Sequence, residues 1–221
     1  MSEVIITVRG EHELRVAPER ATLHLSVALD GPDRADVVER TLAASGPVRD
    51  GIAAREESGS VTEWTSQRMS VYADRPWNTE GKRLAPVYRA SVDFTATFAD
   101  FSEMSVWVTD LSVAEGITIG YIDWHLTADT EREVEREVAA QAVGVAVSRA
   151  RAYAEALGLQ NVTPLEIADR GLISAGSPAM PKAEMMRGAM MAMDAGEAPA
   201  MEFQGEEITV SATVEGRFSA S

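Results

Sequence analysis

Short runs in which apolar and polar residues alternate, separated by longer runs of helical period, make up most of this chain. Val4, Ile6 and Val8 alternate with Ile5, Thr7 and Arg9, and Ala21, Leu23, Leu25, Val27 and Leu29 alternate with Thr22, His24, Ser26 and Ala28. Both patterns predict strands, because successive strand side chains point to opposite faces. Between them Glu11 to Pro18 reads as an edge or turn, since Pro18 offers no backbone donor. Gly31-Pro32-Asp33 stops the second strand and supplies Asp33 as an N-cap, after which Val38, Leu42, Ser45 and Ile52 recur at helical spacing. That spacing predicts a helix over 33–57. Pro47 falls inside it and is expected to kink or restart it, because an interior proline costs about 3 kcal/mol.

Val61 to Tyr72 is strand-like, and a polar loop from Ala73 to Lys82 leads to the clearest alternation in the chain, Val87 to Phe98. There Tyr88, Ala90, Val92, Phe94, Ala96 and Phe98 share one face and Arg89, Ser91, Asp93, Thr95 and Thr97 the other, which predicts one core face and one polar face. Asp100 caps a helix over 100–114 with Phe101, Met104, Trp107 or Val108, and Leu111 inward, and Gly116 ends it before a strand from Ile117 to Leu126. A third helix, over 129–157, opens with Thr130 and Glu133 at capping-box spacing and stops at Gly158. Its predicted inner face holds Ala139, Val143, Ala146, Ala150, Tyr153 and Leu157, and the alanines imply close approach to a sheet or a neighbouring helix. Val162 to Ala168 and a final run through Ile208, Val210, Ala212 and Val214 complete the strands. Between these two, 171–204 is rich in Gly, Pro, Ala and Met without a sustained period, and reads as a long mobile loop. The order β-β-α-β-β-α-β-α-β-β predicts an α+β fold, largely antiparallel sheets with three helices packed on them.

Composition narrows what such a fold can do. With 221 residues, 45% of them hydrophobic, the chain can bury a sizeable core, and its aromatic residues are spread along the length as in one continuous fold. Thirty-five acidic against 20 basic residues give a formal charge of −15, which repels phosphate backbones and argues against nucleic-acid binding. Zero cysteines exclude disulfides, thiolate-bound zinc, iron–sulfur clusters and thiol catalysis. No run approaches the roughly 18–20 apolar residues of a membrane helix, so no membrane insertion is expected. The first residues lack a basic and apolar export signal, which points to the cytoplasm as the sequence stands, or to the periplasm or secretion if a signal has been removed.

Candidate chemistry is sparse. Seven of the ten methionines fall between Met180 and Met201, and Met185, Met186, Met190, Met191 and Met193 are close enough to converge on a soft ion such as Cu(I). No His or Cys lies among them, and an adaptable apolar loop that packs over a groove or an interface is the favoured reading. His12, His24 and His125 are the three histidines; His24 and His125 sit on predicted strands where a shared face would bring them together. Asp93 and Asp123, also on predicted strands, are the candidate acid–base pair, with chance pairing expected among so many carboxylates. The run from Asp129 to Glu137 is either a docking helix for a basic partner or, as is commoner, a solvated helix start. No nucleophile elbow, phosphate-cradling loop or dinucleotide fingerprint is present, so no catalytic residue and no cofactor is assigned.

Five segments in order carry a resemblance: Val8-Arg9-Gly10 with Val16-Ala17-Pro18-Glu19-Arg20-Ala21, Tyr88-Arg89-Ala90, Ala154-Glu155-Ala156-Leu157-Gly158, and Gly205-Glu206-Glu207-Ile208-Thr209-Val210. Together they resemble the SIMPL-domain family over about residues 3–218, as a single domain. The chain departs from the usual pattern at Glu19-Arg20, where an Asp-centred turn is common, in having no glycine just before Tyr88, and in having no leading export signal. The family has no agreed activity; its members are often periplasmic or outer-membrane-associated, and some are linked to oxidative-stress tolerance or to ring-like oligomers. The resemblance therefore implies a fold and, for function, a non-enzymatic, oligomeric interaction or stress-related protein, with other copies or a protein partner as its ligands.

Overall fold

A computed structural model describes residues 3–173, Phe203 and 205–221. In chain order the elements are β1 (Val4–Val16), β2 (Arg20–Gly31), α1 (Arg34–Glu57), β3 (Val61–Ser66), β4 (Ser70–Asp74), β5 (Val87–Phe98), α2 (Phe101–Ser112), β6 (Ile117–His125), α3 (Ala128–Ala156), β7 (Val162–Asp169) and β8 (Ile208–Ala220). The fold is α+β, and among the described residues all strand pairs are antiparallel. The described residues gather into two compact units, one of 3–16, 127–173 and 207–221, the other of 17–126 with Phe203 and 205–206. The methionine-rich stretch lies outside the described residues, apart from 171–173 and Phe203.

The first unit is a three-stranded sheet of order β1-β8-β7 with α3 against it. β1 does not turn at Glu11: it continues to Val16, because Val4–Val16 pairs residue by residue with Ala220–Ile208 and the ladder satisfies its backbone. Pro18 falls in the short link to β2, where no ladder bond is needed. Gly10 sits mid-strand where a Cβ would strike the carbonyl oxygen of Ala142 and lie 2.7 Å from the amide nitrogen of Ala146. Helix and strand backbones therefore touch there, and Arg149 Nη1 donates to the Arg9 carbonyl at 2.7 Å beside the contact. On the same strands, the buried carboxylate of Glu215 accepts from Arg9 Nη2 at 3.1 Å.

The face of α3 that packs inward is Val134, Val138, Ala142, Ala146, Ala150 and Ala154. Ala139, Val143, Tyr153 and Leu157, placed inward by the helical projection, are exposed. A projection treats the buried stripe as parallel to the axis, whereas a row of every fourth residue runs obliquely and follows the twist of the sheet it meets. The cap also differs from expectation. Thr127 accepts from the Thr130 amide, so the helix starts earlier than the Thr130–Glu133 spacing suggests. Its C-terminal stop, Gly158 at φ +75°, is as the sequence predicts.

In the second unit β5 is paired with β2 and with both β3 and β4, and β2 in turn with β6. The strand-like run from Val61 to Tyr72 is two strands, broken at Gln67–Met69, each pairing with a different part of β5. One sheet face carries Leu23, Leu25, Val27, Phe94 and Phe98 into a core with Val48 and Ile52 of α1 and Met104, Trp107 and Leu111 of α2. α1 runs unbroken through Pro47, without restarting, from an Asp33 cap that accepts from the amides of Ala35 and Asp36. Its inward row is Val37, Thr41, Ser45, Val48 and Ile52, with Leu42 exposed. Two hydroxyls can take buried places because Thr41 donates to the Val37 carbonyl and Ser45 to the Thr41 carbonyl, both at 2.7 Å. Gly205 fits where a Cβ would strike the Pro18 ring and lie 2.8 Å from Trp124.

Two glycine substitutions separate close approach from conformational freedom. Gly10→Ala should lower stability by about 3 kcal/mol, the upper range for overpacking against backbone, as read from thermal or denaturant unfolding. Gly144→Ala, in α3 with no atom near its Cβ position, should raise stability by about 1 kcal/mol.

Candidate functional site

The other face of the second unit's sheet is polar, as the alternation of β2 and β5 predicts. Thr22, His24 and Ser26 of β2 stand opposite Thr97, Thr95 and Asp93 of β5. β6 adds a bulge: Leu23 pairs with Ile122 and Leu25 with Ile119, so Gly120 and Tyr121 together face His24. The extra residue turns Tyr121 onto the polar face, where its ring stacks on His24 with centroids 4.2 Å apart and planes at 16°. Gly120 permits this, since a Cβ there would lie 2.9 Å from the His24 carbonyl oxygen. His24 Nε2 donates to Asp123 Oδ2 at 3.0 Å.

A second group lies further along the same face. His125 Nδ1 is 3.2 Å from the Leu126 carbonyl, which can only accept, so Nδ1 carries the proton and Nε2 of the neutral ring accepts. The Thr22 hydroxyl donates to that Nε2 at 2.9 Å and accepts from Thr97 at 2.9 Å. The pair has the separation at which a base takes a proton from a hydroxyl. Beside His24, a depression of about 270 Å³ is lined by Ser26, Gln67, Asp93, Thr95 and Thr118, hydroxyl, amide and carboxylate groups suited to a polar ligand.

His24 and His125 thus share a face without meeting, because His125 is opposite Arg20, four positions from His24 and about 13 Å away at roughly 3.3 Å per residue. Asp93 and Asp123 do not form an acid–base pair. They sit opposite Ser26 and Thr22 on different flanks of β2, and Asp123 is taken by His24. His12 lies on β1 opposite Ala212. The signal that would have found the His24–Asp123 pair is the register of β6, which a bulge hides from any count along the sequence. Met185, Met186, Met190, Met191 and Met193 lie outside the described residues. No cluster of three or more potential His, Cys, Asp or Glu ligands occurs among the described residues, and no helix among them is long and apolar enough to cross a membrane.

Two exposed features lie elsewhere. On edge strand β7, Leu165 and Ile167 are each 53% exposed, and Leu172 beyond it is 70% exposed. The β4–β5 hairpin carries exposed Trp77, Tyr72 and Leu84. At its base Arg89 donates to the Tyr72 hydroxyl, which with the nearby Asp30 carboxylate holds the guanidinium pKa above its ordinary value.

The match of the chain to a known family spans residues 6–218, to the SIMPL model, described as a protein of unknown function, DUF541. A search of curated proteins finds no match.

The tautomer assignment is open to measurement. Nitrogen-15 spectra of the imidazoles should show His125 protonated at Nδ1 at neutral pH, and Thr22→Val should shift its Nε2 resonance while costing about 1 kcal/mol of stability.

Proposed function

The chain belongs to the SIMPL family, whose function is unknown, and we propose that this member works by association with further copies of itself rather than by catalysis. The observation that carries this reading is the edge strand β7, where Leu165 and Ile167 present two large apolar side chains to solvent. Isolated exposed apolar residues are ordinary, but two large ones two positions apart on an outer strand make an apolar patch that favours assembly. On the opposite outer strand, β1, Arg149 donates to the carbonyl of Arg9. On β7 the register slips between Pro164 and Glu166, leaving Leu165 as the extra residue. Pro164 supplies no backbone donor and the bulge breaks the regular strand geometry, both of which disfavour strand addition here and leave side-chain packing as the contact.

The polar face fits the same reading. His24, Asp123, Thr22 and His125 are engaged by one another and by Thr97, which makes the face a fixed hydrogen-bonding pattern. A stress-related role would follow from assembly, through the surfaces that assembly creates or hides.

Light scattering across a wide range of concentration should give a defined multimer. Leu165→Lys with Ile167→Lys should weaken association at least tenfold while leaving the circular dichroism unchanged, because both side chains are exposed in the single chain. A protein that stays monomeric at every concentration would reject the proposal.

A further inference from the structure

Charge reverses sign in the β4–β5 hairpin. From Ser70 to Arg89, Arg75, Lys82, Arg83 and Arg89 stand against Asp74 and Glu80, four cations to two carboxylates, a net of +2 in a chain of −15. The partners are unevenly shared. Lys82 has Glu80 at 3.8 Å and Arg89 has Asp30 at 3.9 Å, whereas Arg75 and Arg83 have no ion-pair partner among the described residues. Arg83 lies instead over the ring of Trp77, 4.9 Å from its centroid, and Trp77 is 61% exposed.

The tip is already ordered. Asn78 Oδ1 accepts from the amides of Glu80 and Lys82 at 3.0 and 2.8 Å, the Asn78 amide donates to the Lys82 carbonyl at 2.9 Å, and the Leu84 amide donates to the Pro76 carbonyl at 2.9 Å. An exposed Trp and two unpaired arginines held on a fixed turn are the residue types that dominate binding interfaces, with the ordering cost already met within the hairpin.

Charge of the opposite sign, also without ion-pair partners, begins α3. Asp129 to Glu137 holds five carboxylates and two arginines, a net of −3. Asp129 is bridged to Arg132, but Glu131, Glu133, Glu135 and Glu137 are exposed and have no ion-pair partner among the described residues. Glu133 and Glu137, one turn apart, share a side of the helix.

We propose that the β4–β5 hairpin of one copy docks on the acidic start of α3 of a second copy, Arg75 and Arg83 meeting Glu133 and Glu137 while Trp77 covers the ion pairs. This rests on the self-association proposed above and names one of its contacts. A second copy fits better than an anionic surface. Setting the hairpin's +2 apart from −15 leaves −17 on the rest of the chain, which repels phosphate headgroups and supplies the acid the hairpin lacks. Such a contact runs head to tail, the hairpin of each copy meeting a different patch on the next, so it builds rings or filaments.

Association constants from sedimentation equilibrium at low and high salt test it on the full chain. Arg75→Glu with Arg83→Glu, and separately Glu133→Arg with Glu137→Arg, should each weaken association about tenfold at low salt and less at high salt. An equimolar mixture of the two variants should form a mixed complex with much of the lost affinity restored. Circular dichroism should not change, because all four side chains are exposed in the single chain. A wild type that is monomeric throughout would defeat the self-association reading and this contact with it. A multimeric wild type whose hairpin variant associates unchanged would overturn the hairpin contact alone. Loss without rescue in the mixture would overturn the pairing with α3, as would flotation of the wild type, lost in the Arg75/Arg83 variant, with phosphatidylserine vesicles.

Discussion

Backbone meets backbone where α3 crosses β1 at Gly10, and the organisation of the first unit follows from that approach. A side chain at Gly10 would occupy the place of the Ala142 carbonyl, so the strand can lie this close to the helix only with glycine there and alanine above it. Ala142, Ala146, Ala150 and Ala154 then continue the contact as an oblique row, and Phe218 and Val8 fill what the small side chains leave. The approach also depends on β1 being held in place along its whole length, which the β8 ladder does from Val4↔Ala220 to Val16↔Ile208. The sheet of this unit therefore joins strands some two hundred residues apart in sequence, and contacts of such long separation form late and slowly in folding.

The second unit solves a different problem with a different device. Its sheet must bury one face under α1 and α2 and leave the other polar, and alternation along β2 and β5 does this through their central stretches. β6 breaks the alternation once, at Gly120-Tyr121, and the break delivers an aromatic ring to the polar face beside His24. Groups that look reactive in isolation are thereby given local partners: an imidazole a carboxylate, a hydroxyl an imidazole, and that imidazole a carbonyl. Surfaces whose groups lack such partners lie elsewhere, on β7 and in the β4–β5 hairpin, and these are where association is proposed.

Several residues that carry the family resemblance turn out to have steric work to do. Gly10 admits the α3 backbone, Gly205 admits Pro18 and Trp124, and Gly158 takes the positive φ that ends α3. None of these carries a reactive side chain, which is why the resemblance speaks to architecture and leaves chemistry open.

The strand alternations, the Asp33 and Asp100 caps and the Gly158 stop were legible in the sequence because each depends on residues within a few positions of one another. The polar and core faces of β2 and β5 were legible for the same reason. Three things were settled only in the tertiary structure. β1 extends to Val16 because β8, some two hundred residues away, satisfies its backbone. Thr41 takes the inward place expected of Leu42 on α1, its hydroxyl bonded within the helix, and Tyr153 and Leu157 lie exposed on α3 because the sheet beneath it twists. His24 meets Asp123 across the bulged β2–β6 pairing, while the β2–β5 register sets Asp93 opposite Ser26. Local propensity is written in neighbouring side chains, whereas register, helix rotation and the partners of a polar group depend on strands that the chain brings together from far apart.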